Sequence, residues 1–148
     1  MNTAPDMLTK IAAGKVIYTA RVHTTGGRDG GTSQSDDRRL DIRHSLPGST
    51  NAGTNPEQLF AAGWSACFEG TMGLAARKAR VKLPPDTAID AEVELLTGED
   101  GYSIRGRLNI SLPGVPRDVA QTIVKEAENT CPYSKAIRGN VKTEFNLL

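Results

Sequence analysis

The only two thiols in the chain each sit in a dense local signature. Cys67 closes the run Asn55-Pro56-Glu57-Gln58-Leu59-Phe60-Ala61-Ala62-Gly63-Trp64-Ser65-Ala66-Cys67-Phe68, and Cys131 opens Cys131-Pro132-Tyr133-Ser134-Lys135-Ala136-Ile137-Arg138-Gly139-Asn140. Two thiols so far apart can do reversible redox chemistry only if the fold brings them together. A thiol peroxidase, with one attacking and one resolving cysteine, would account for the pair. Packing would account for it too, because free cysteine is among the most buried residue types. Burial alone raises a thiol's pKa and makes it inert, so a reactive Cys67 requires a cation brought in from elsewhere. Cys131 precedes a proline suited to a first helical position. It is therefore a candidate N-cap, where backbone N–H groups stabilise a thiolate.

Arg28, in the glycine-rich stretch Gly26-Gly27-Arg28-Asp29-Gly30-Gly31, is the best candidate cation, although an arginine in such a turn is also well placed simply to be solvated. Glu57 is equally two-sided, since a carboxylate in a first helical turn is good capping in its own right. His23 and His44 form no ligand spacing with each other or with a cysteine. No CxxC occurs, so a metal site has little support.

These residues need elements to hold them. Val16, Tyr18, Ala20 and Val22 alternate with more polar neighbours and predict a half-buried strand. The glycines at 26–31 break it, and Leu40 and Ile42 suggest a returning strand that closes at Pro47-Gly48. Asn55 is a good N-cap, Pro56 suits the first position and Glu57 the positive end of the dipole, so a helix begins here. Phe60, Gly63, Cys67, Gly70 and Leu74 recur at three- and four-residue intervals and share a face rich in small residues. Interior glycines weaken a helix by about 1 kcal/mol each, which argues for close approach of another helix. The basic run Arg77, Lys78, Arg80, Lys82 reads as this helix's solvated end.

After Pro84-Pro85, alternation through Ile89, Ala91, Val93 and Leu95, a turn at 97–101, and then Tyr102, Ile104, Leu108 and Ile110 predict a second hairpin, polar on one face. Pro116 opens a helix to about Asn129, with Val119, Ile123, Val124 and Ala127 inward. A short turn of helix follows Cys131-Pro132, and 141–148 reads as a last strand. Hairpins separated by helices give an α+β fold.

Composition bounds the rest. The 148 residues predict one domain, 1–148. Lys plus Arg total 18 against 17 for Asp plus Glu, a net charge of +1 that gives no case for nucleic acid. The longest apolar run, 59–68, falls short of the ~20 residues a membrane span needs. Residues 1–10 lack a signal-peptide pattern, so the cytoplasm is the expected compartment. There, a catalytic or sensing disulfide is easier to sustain than a lasting structural one.

Three blocks together resemble the organic hydroperoxide resistance (Ohr) branch of the Ohr/OsmC family: Gly26-Gly27-Arg28-Asp29-Gly30, the stretch from Thr54 to Phe68, and Cys131-Pro132-Tyr133-Ser134 with Arg138-Gly139-Asn140. Phe60-Ala61-Ala62-Gly63 and the Tyr133 after Cys-Pro point to this branch rather than the OsmC branch. The resemblance implies an OsmC/Ohr-like α+β fold: two β-hairpin regions and a C-terminal strand packed around a central helix, in an intertwined homodimer with its active sites at the subunit interface. It implies a cytoplasmic peroxidase that reduces organic hydroperoxides, fatty-acid hydroperoxides included. Cys67 would attack, Cys131 would resolve, and Arg28 and Glu57 would surround the attacking sulfur. No cofactor would be bound; a dithiol, typically the lipoyl group of a lipoylated protein, would serve as electron donor. The chain departs from the family's pattern at Glu128, usually His, at Lys135 and Ile137, commonly Asn and Thr, and at Trp64, usually Tyr. The loop 46–53 looks shortened. An acidic Glu128 nearby would disfavour a Cys131 thiolate. An OsmC-like peroxidase of broader peroxide use and a non-catalytic small-molecule binding module are the competing readings. A redox-sensing regulator lacks a helix-turn-helix or basic surface.

Helix geometry adds one constraint. Ten residues separate Glu57 from Cys67, about 15 Å along a continuous helix and about 80° around its axis. Glu57 therefore cannot reach its own Cys67. If both serve one site, an antiparallel copy of the helix from a second subunit supplies Glu57.

Overall fold

The computed structural model describes residues 13–148; the leader-free reading of residues 1–10 lies outside the described residues. In chain order the elements are β1 (Val22–Thr25), β2 (Thr32–Ser35), β3 (Asp41–Arg43), α1 (Pro56–Lys78), β4 (Ala88–Gly98), β5 (Gly101–Ser111), α2 (Arg117–Thr130), α3 (Pro132–Ile137) and β6 (Lys142–Leu147). They fall into two compact units, one reaching to Gly53 and the other Thr54–Leu148. This is the α+β architecture expected.

In the first unit β1, β2 and β3 form an antiparallel sheet in that order. The glycine-rich turn lies between β1 and β2, and Gly31 admits no side chain because a Cβ there would collide with the Gly27 and Thr25 carbonyls. The loop is tied at its far end by His44, whose carbonyl accepts from the Gly30 N–H at 3.1 Å and whose N–H donates to the Gly31 carbonyl at 2.8 Å. The His44 ring is buried, with Nε2 2.7 Å from Ser33 Oγ, which lies 2.7 Å from Thr24 Oγ1. Two expectations need revision here. The predicted strand through Val16, Tyr18 and Ala20 is not one: β1 begins at Val22, opposite Ser35, and residues 16–20 have no ladder partner among the described residues. Alternation is sufficient for a strand only where a neighbour completes its hydrogen bonds. Conversely β2, Thr-Ser-Gln-Ser, has no apolar alternation and forms because it pairs on both edges, Thr32–Ser35 with β1 and Thr32–Gln34 with β3.

In the second unit Asn55 caps α1, its side chain accepting from the Gln58 N–H at 2.9 Å, with Pro56 and Glu57 in the first turn as expected. The helix ends in a left-handed cap at Arg80 (φ 58°). The Val81 N–H donates to the Ala76 carbonyl at 2.8 Å, and the Arg80 N–H to that of Arg77 at 3.0 Å. β4 and β5 pair antiparallel over their full length, and β6 joins β5 in parallel. One face of this sheet is polar and cross-linked: Arg107 pairs with Glu92 and Glu144 (3.2 Å each), and Arg105 pairs with Glu94. The other face meets α1 and α2 in the core, where Trp64, Phe68, Met72, Leu108, Ile110 and Ile123 are fully buried.

The buried stripe of α1 is thus Trp64, Phe68, Met72, Ala75 and Ala76, one step round from the small-residue stripe singled out in the sequence. Bulky side chains gain most from burial and turn to the sheet. The small ones leave a shallow adjoining face, on which Leu74 is exposed and Cys67 half-buried.

Candidate active site

That shallow face of α1 is where α3 docks. Phe60 meets the Tyr133 ring edge to face at 6.1 Å between centroids. At Gly63 a Cβ would lie 2.7 Å from Tyr133 Oη, so the glycine's lack of a side chain is what lets the ring cross the helix. Trp64 Nε1 donates to Ser134 Oγ at 3.0 Å in a buried contact. Cys67 receives Cys131, with Sγ–Sγ 3.5 Å and both thiols free. Positions 60, 63, 64 and 67 follow the i, i+3, i+4, i+7 spacing, so one face of one helix registers the whole Cys131–Ser134 segment.

The two sulfurs differ in setting. Cys131 is fully buried, and Cys67 is partly open. Burial pushes the Cys67 thiol up from its ordinary pKa; the Tyr133 N–H directed at its sulfur pulls it down; the Cys131 thiol adds to the upward push. The amide expected to serve a Cys131 thiolate is therefore spent on Cys67. Cys131 takes the N-cap position of α3 without a side-chain capping bond. Beside Cys67 runs a groove of about 520 Å³, mostly apolar, bounded by Gly70, Thr71 and Leu74 of α1, Thr130, and Pro132. Its far end is closed by Lys78 and Glu126, 3.3 Å apart.

The remaining candidates are placed as follows. Glu57 is in the first turn of α1, and the helix runs unbroken from it to Cys67. Arg28 stands exposed on the β1–β2 turn of the first unit. The Glu128 carboxylate pairs with Lys125 at 3.2 Å, and its carbonyl accepts from Arg138 at 2.8 Å. Sequence reasoning missed the contacts made by Trp64, Tyr133 and Ser134. The available signal was symmetry of spacing, with Trp64 three residues before one cysteine and Ser134 three after the other. Among the described residues no group of three or more His, Cys, Asp or Glu converges as a metal site would require.

Residues 47–146 match the model of the OsmC-like protein family. The organic hydroperoxide resistance protein of Xanthomonas axonopodis pv. citri is 43% identical over 136 residues, 90% of this chain and 96% of that one. OhrA of Bacillus subtilis is 42% identical over 84% of this chain and 92% of its own. Among solved structures, Bacillus subtilis OhrB superposes with a TM-score of 0.84 at 38% identity, covering 90% of this chain and all of that one. A Vibrio cholerae relative, 30% identical over 91% of this chain and 94% of its own with a TM-score of 0.84, carries captopril in one of its active sites.

Proposed function

The chain belongs to the OsmC-like family, in its organic hydroperoxide resistance branch, and on that premise we propose that it is a thiol peroxidase reducing alkyl and fatty-acid hydroperoxides to alcohols. The observation that carries this reading is the pair of free sulfurs at 3.5 Å, one reachable from a mostly apolar groove and the other sealed behind it. The Cys67 thiolate attacks the distal peroxide oxygen, the O–O bond breaks, and the alkoxide leaves as alcohol with a proton. The sulfenic acid condenses with the Cys131 thiol, forming the disulfide and releasing water. An external dithiol, such as a reduced lipoyl group, restores both thiols by exchange. The apolar groove supports an organic peroxide over small, well-hydrated hydrogen peroxide.

Burial opposes ionisation of Cys67, so the scheme needs a cation. Arg28 fills that role, lowering the thiol's pKa and hydrogen-bonding the peroxide oxygens, with Glu57 orienting the guanidinium. The unbroken α1 keeps Glu57 about 15 Å along the axis from its own Cys67, so Glu57 comes from an antiparallel second subunit. A homodimer with two equivalent sites follows, and the captopril-bound relative also has more than one active site. The cytoplasm is the compartment in which such a dithiol cycle would run.

The test is turnover of tert-butyl hydroperoxide with dihydrolipoamide. Wild type is active; Cys67→Ser is inactive; Arg28→Ala loses about a hundredfold or more in kcat/KM. Mass spectrometry after substoichiometric cumene hydroperoxide finds the Cys67–Cys131 disulfide. Unmodified thiols, or equal rates with hydrogen peroxide, would overturn the reading.

A further inference from the structure

A disulfide between Cys67 and Cys131 requires the sulfurs to close from 3.5 Å to about 2.05 Å, a movement of roughly 1.5 Å. A side-chain rotation supplies that distance without unwinding either helix. It suffices only if the Cys131–Ser134 segment stays in register on α1 while Cys67 is oxidised. The buried side-chain hydrogen bond holding that register runs from Trp64 Nε1 to Ser134 Oγ. Both residues are nearly inaccessible, Trp64 at 0% and Ser134 at 4% exposure. The indole is itself fixed from behind. At Gly106 of β5 a Cβ would stand 2.6 Å from the Trp64 ring, so the sheet offers the indole a seat that a larger residue would fill. Phe60 and Phe145 flank it edge to face at 6.2 and 5.9 Å. The bond also lies one turn from the reacting pair on both partners: Trp64 is three residues before Cys67 and Ser134 three after Cys131.

We infer that Trp64 and Ser134 are positioning residues for the resolving step. They clasp α3 to α1, so that the Cys131 thiol meets the Cys67 sulfenic acid faster than a second hydroperoxide can. If the clasp is loosened, the sulfenic acid persists, and another hydroperoxide molecule oxidises it to the sulfinic acid while being reduced to its alcohol. The attacking thiol stays on α1 throughout and loses at most the Tyr133 N–H that faces its sulfur, so the first oxidation slows less than the closure does. This rests on the peroxidase reading for its kinetic form, but the closeness of the two thiols can be measured without it.

The experiment therefore has two arms, with Ser134→Ala as the main variant and Trp64→Phe as the second. Equilibration of each protein in glutathione buffers of graded ratio gives the effective concentration of one thiol at the other. Removing the acceptor leaves a buried indole N–H unpaired in the clasped state, so Ser134→Ala lowers this quantity roughly tenfold. Single-turnover mixing with cumene hydroperoxide gives the rate of Cys67 oxidation and, by intact mass, the ratio of sulfinic acid to disulfide. Oxidation changes less than about threefold, whereas the sulfinic-to-disulfide ratio rises about tenfold, in line with the same loss.

An unchanged effective concentration and an unchanged ratio in either folded variant would overturn the clasp. So would attack and closure slowing by the same factor, which is the mark of a general structural defect. Wild type that equilibrates with glutathione but ignores hydroperoxides would sink the peroxidase reading and leave the clasp standing.

Discussion

The two compact units are stabilised in different ways. In Thr54–Leu148, fourteen hydrophobic side chains from α1, α2, α3 and the sheet close into one buried cluster. Among the described residues of the first unit the buried side chains are Ser33, His44 and Ser45, while Val16, Ile17, Tyr18 and Val22 are 50–91% exposed. One is a core that fills itself. The other is a small sheet held by backbone pairing and a Thr24–Ser33–His44 hydrogen-bond chain, with Leu40 and Ile42 only partly buried and Val16, Ile17, Tyr18 and Val22 left outward. Large apolar side chains gathered at a surface mark a place where something else docks. In the proposed dimer that something is a second copy. The comparison thus gives the cysteine-bearing unit a self-filled apolar core and leaves the other with exposed apolar side chains around a polar centre.

The largest effect that could break this contrast concerns burial itself. Phe68 is wholly buried and stacked on Phe145 at 5.3 Å, so Phe68→Ala costs about 3–5 kcal/mol in chemical denaturation. Ile17→Asp leaves the unfolding free energy of the cysteine-bearing unit within about 0.5 kcal/mol but shifts sedimentation towards single subunits. If Phe68→Ala costs under 1 kcal/mol, or Ile17→Asp leaves assembly intact, the division of labour fails.

A second, intermediate effect tests whether the first unit delivers charge to the second. Burial raises the Cys67 pKa and the Tyr133 N–H only partly opposes it, so without a cation the thiol ionises above its ordinary range. With Cys131→Ser as background, the pH profile of iodoacetamide labelling reports Cys67 alone. Its midpoint lies below the ordinary thiol value of about 8.5 and moves above it in Arg28→Ala. An identical profile in both proteins removes Arg28 from the site.

The smallest effect compares like with like. Among the described residues each unit holds one non-glycine residue in the left-handed region, Arg38 (φ 60°) and Arg80 (φ 58°). Replacing either by glycine relieves about 0.5–1 kcal/mol of backbone strain. Arg80→Gly raises the unfolding free energy of the main transition by that amount, whereas Arg38→Gly shows only as slower hydrogen exchange in β2 and β3. Equal shifts of the main transition would mean that the units unfold as one.

Legibility in the sequence followed the same divide. The start of α1, the β4–β5 hairpin, the inward face of α2 and the helical turn after Cys131 were readable because each is specified locally, by a cap, an alternation or a proline. What escaped is specified by neighbours. β2 has no pattern of its own and exists through β1 and β3. The stripe Phe60, Gly63, Cys67, Gly70 and Leu74 is real, but it serves α3 and the groove, because the larger Trp64, Phe68 and Met72 claim the sheet. Of the four candidate residues, the closeness of Cys67 and Cys131 could only be hoped for from spacing, since 63 intervening residues carry no local signal of it. Their partners Trp64 and Ser134 were legible as residue types but not as a bond.

The seat of Trp64 has a practical consequence. It is the chain's sole tryptophan, so all indole emission comes from one ring, hydrogen-bonded to the segment that begins with Cys131. Any reorganisation of that segment when the sulfurs join changes the polarity and quenching around this single fluorophore. Emission from this one ring, followed in a stopped-flow cell during mixing with a hydroperoxide, therefore tests the proposed disulfide step without a label or a coupled enzyme.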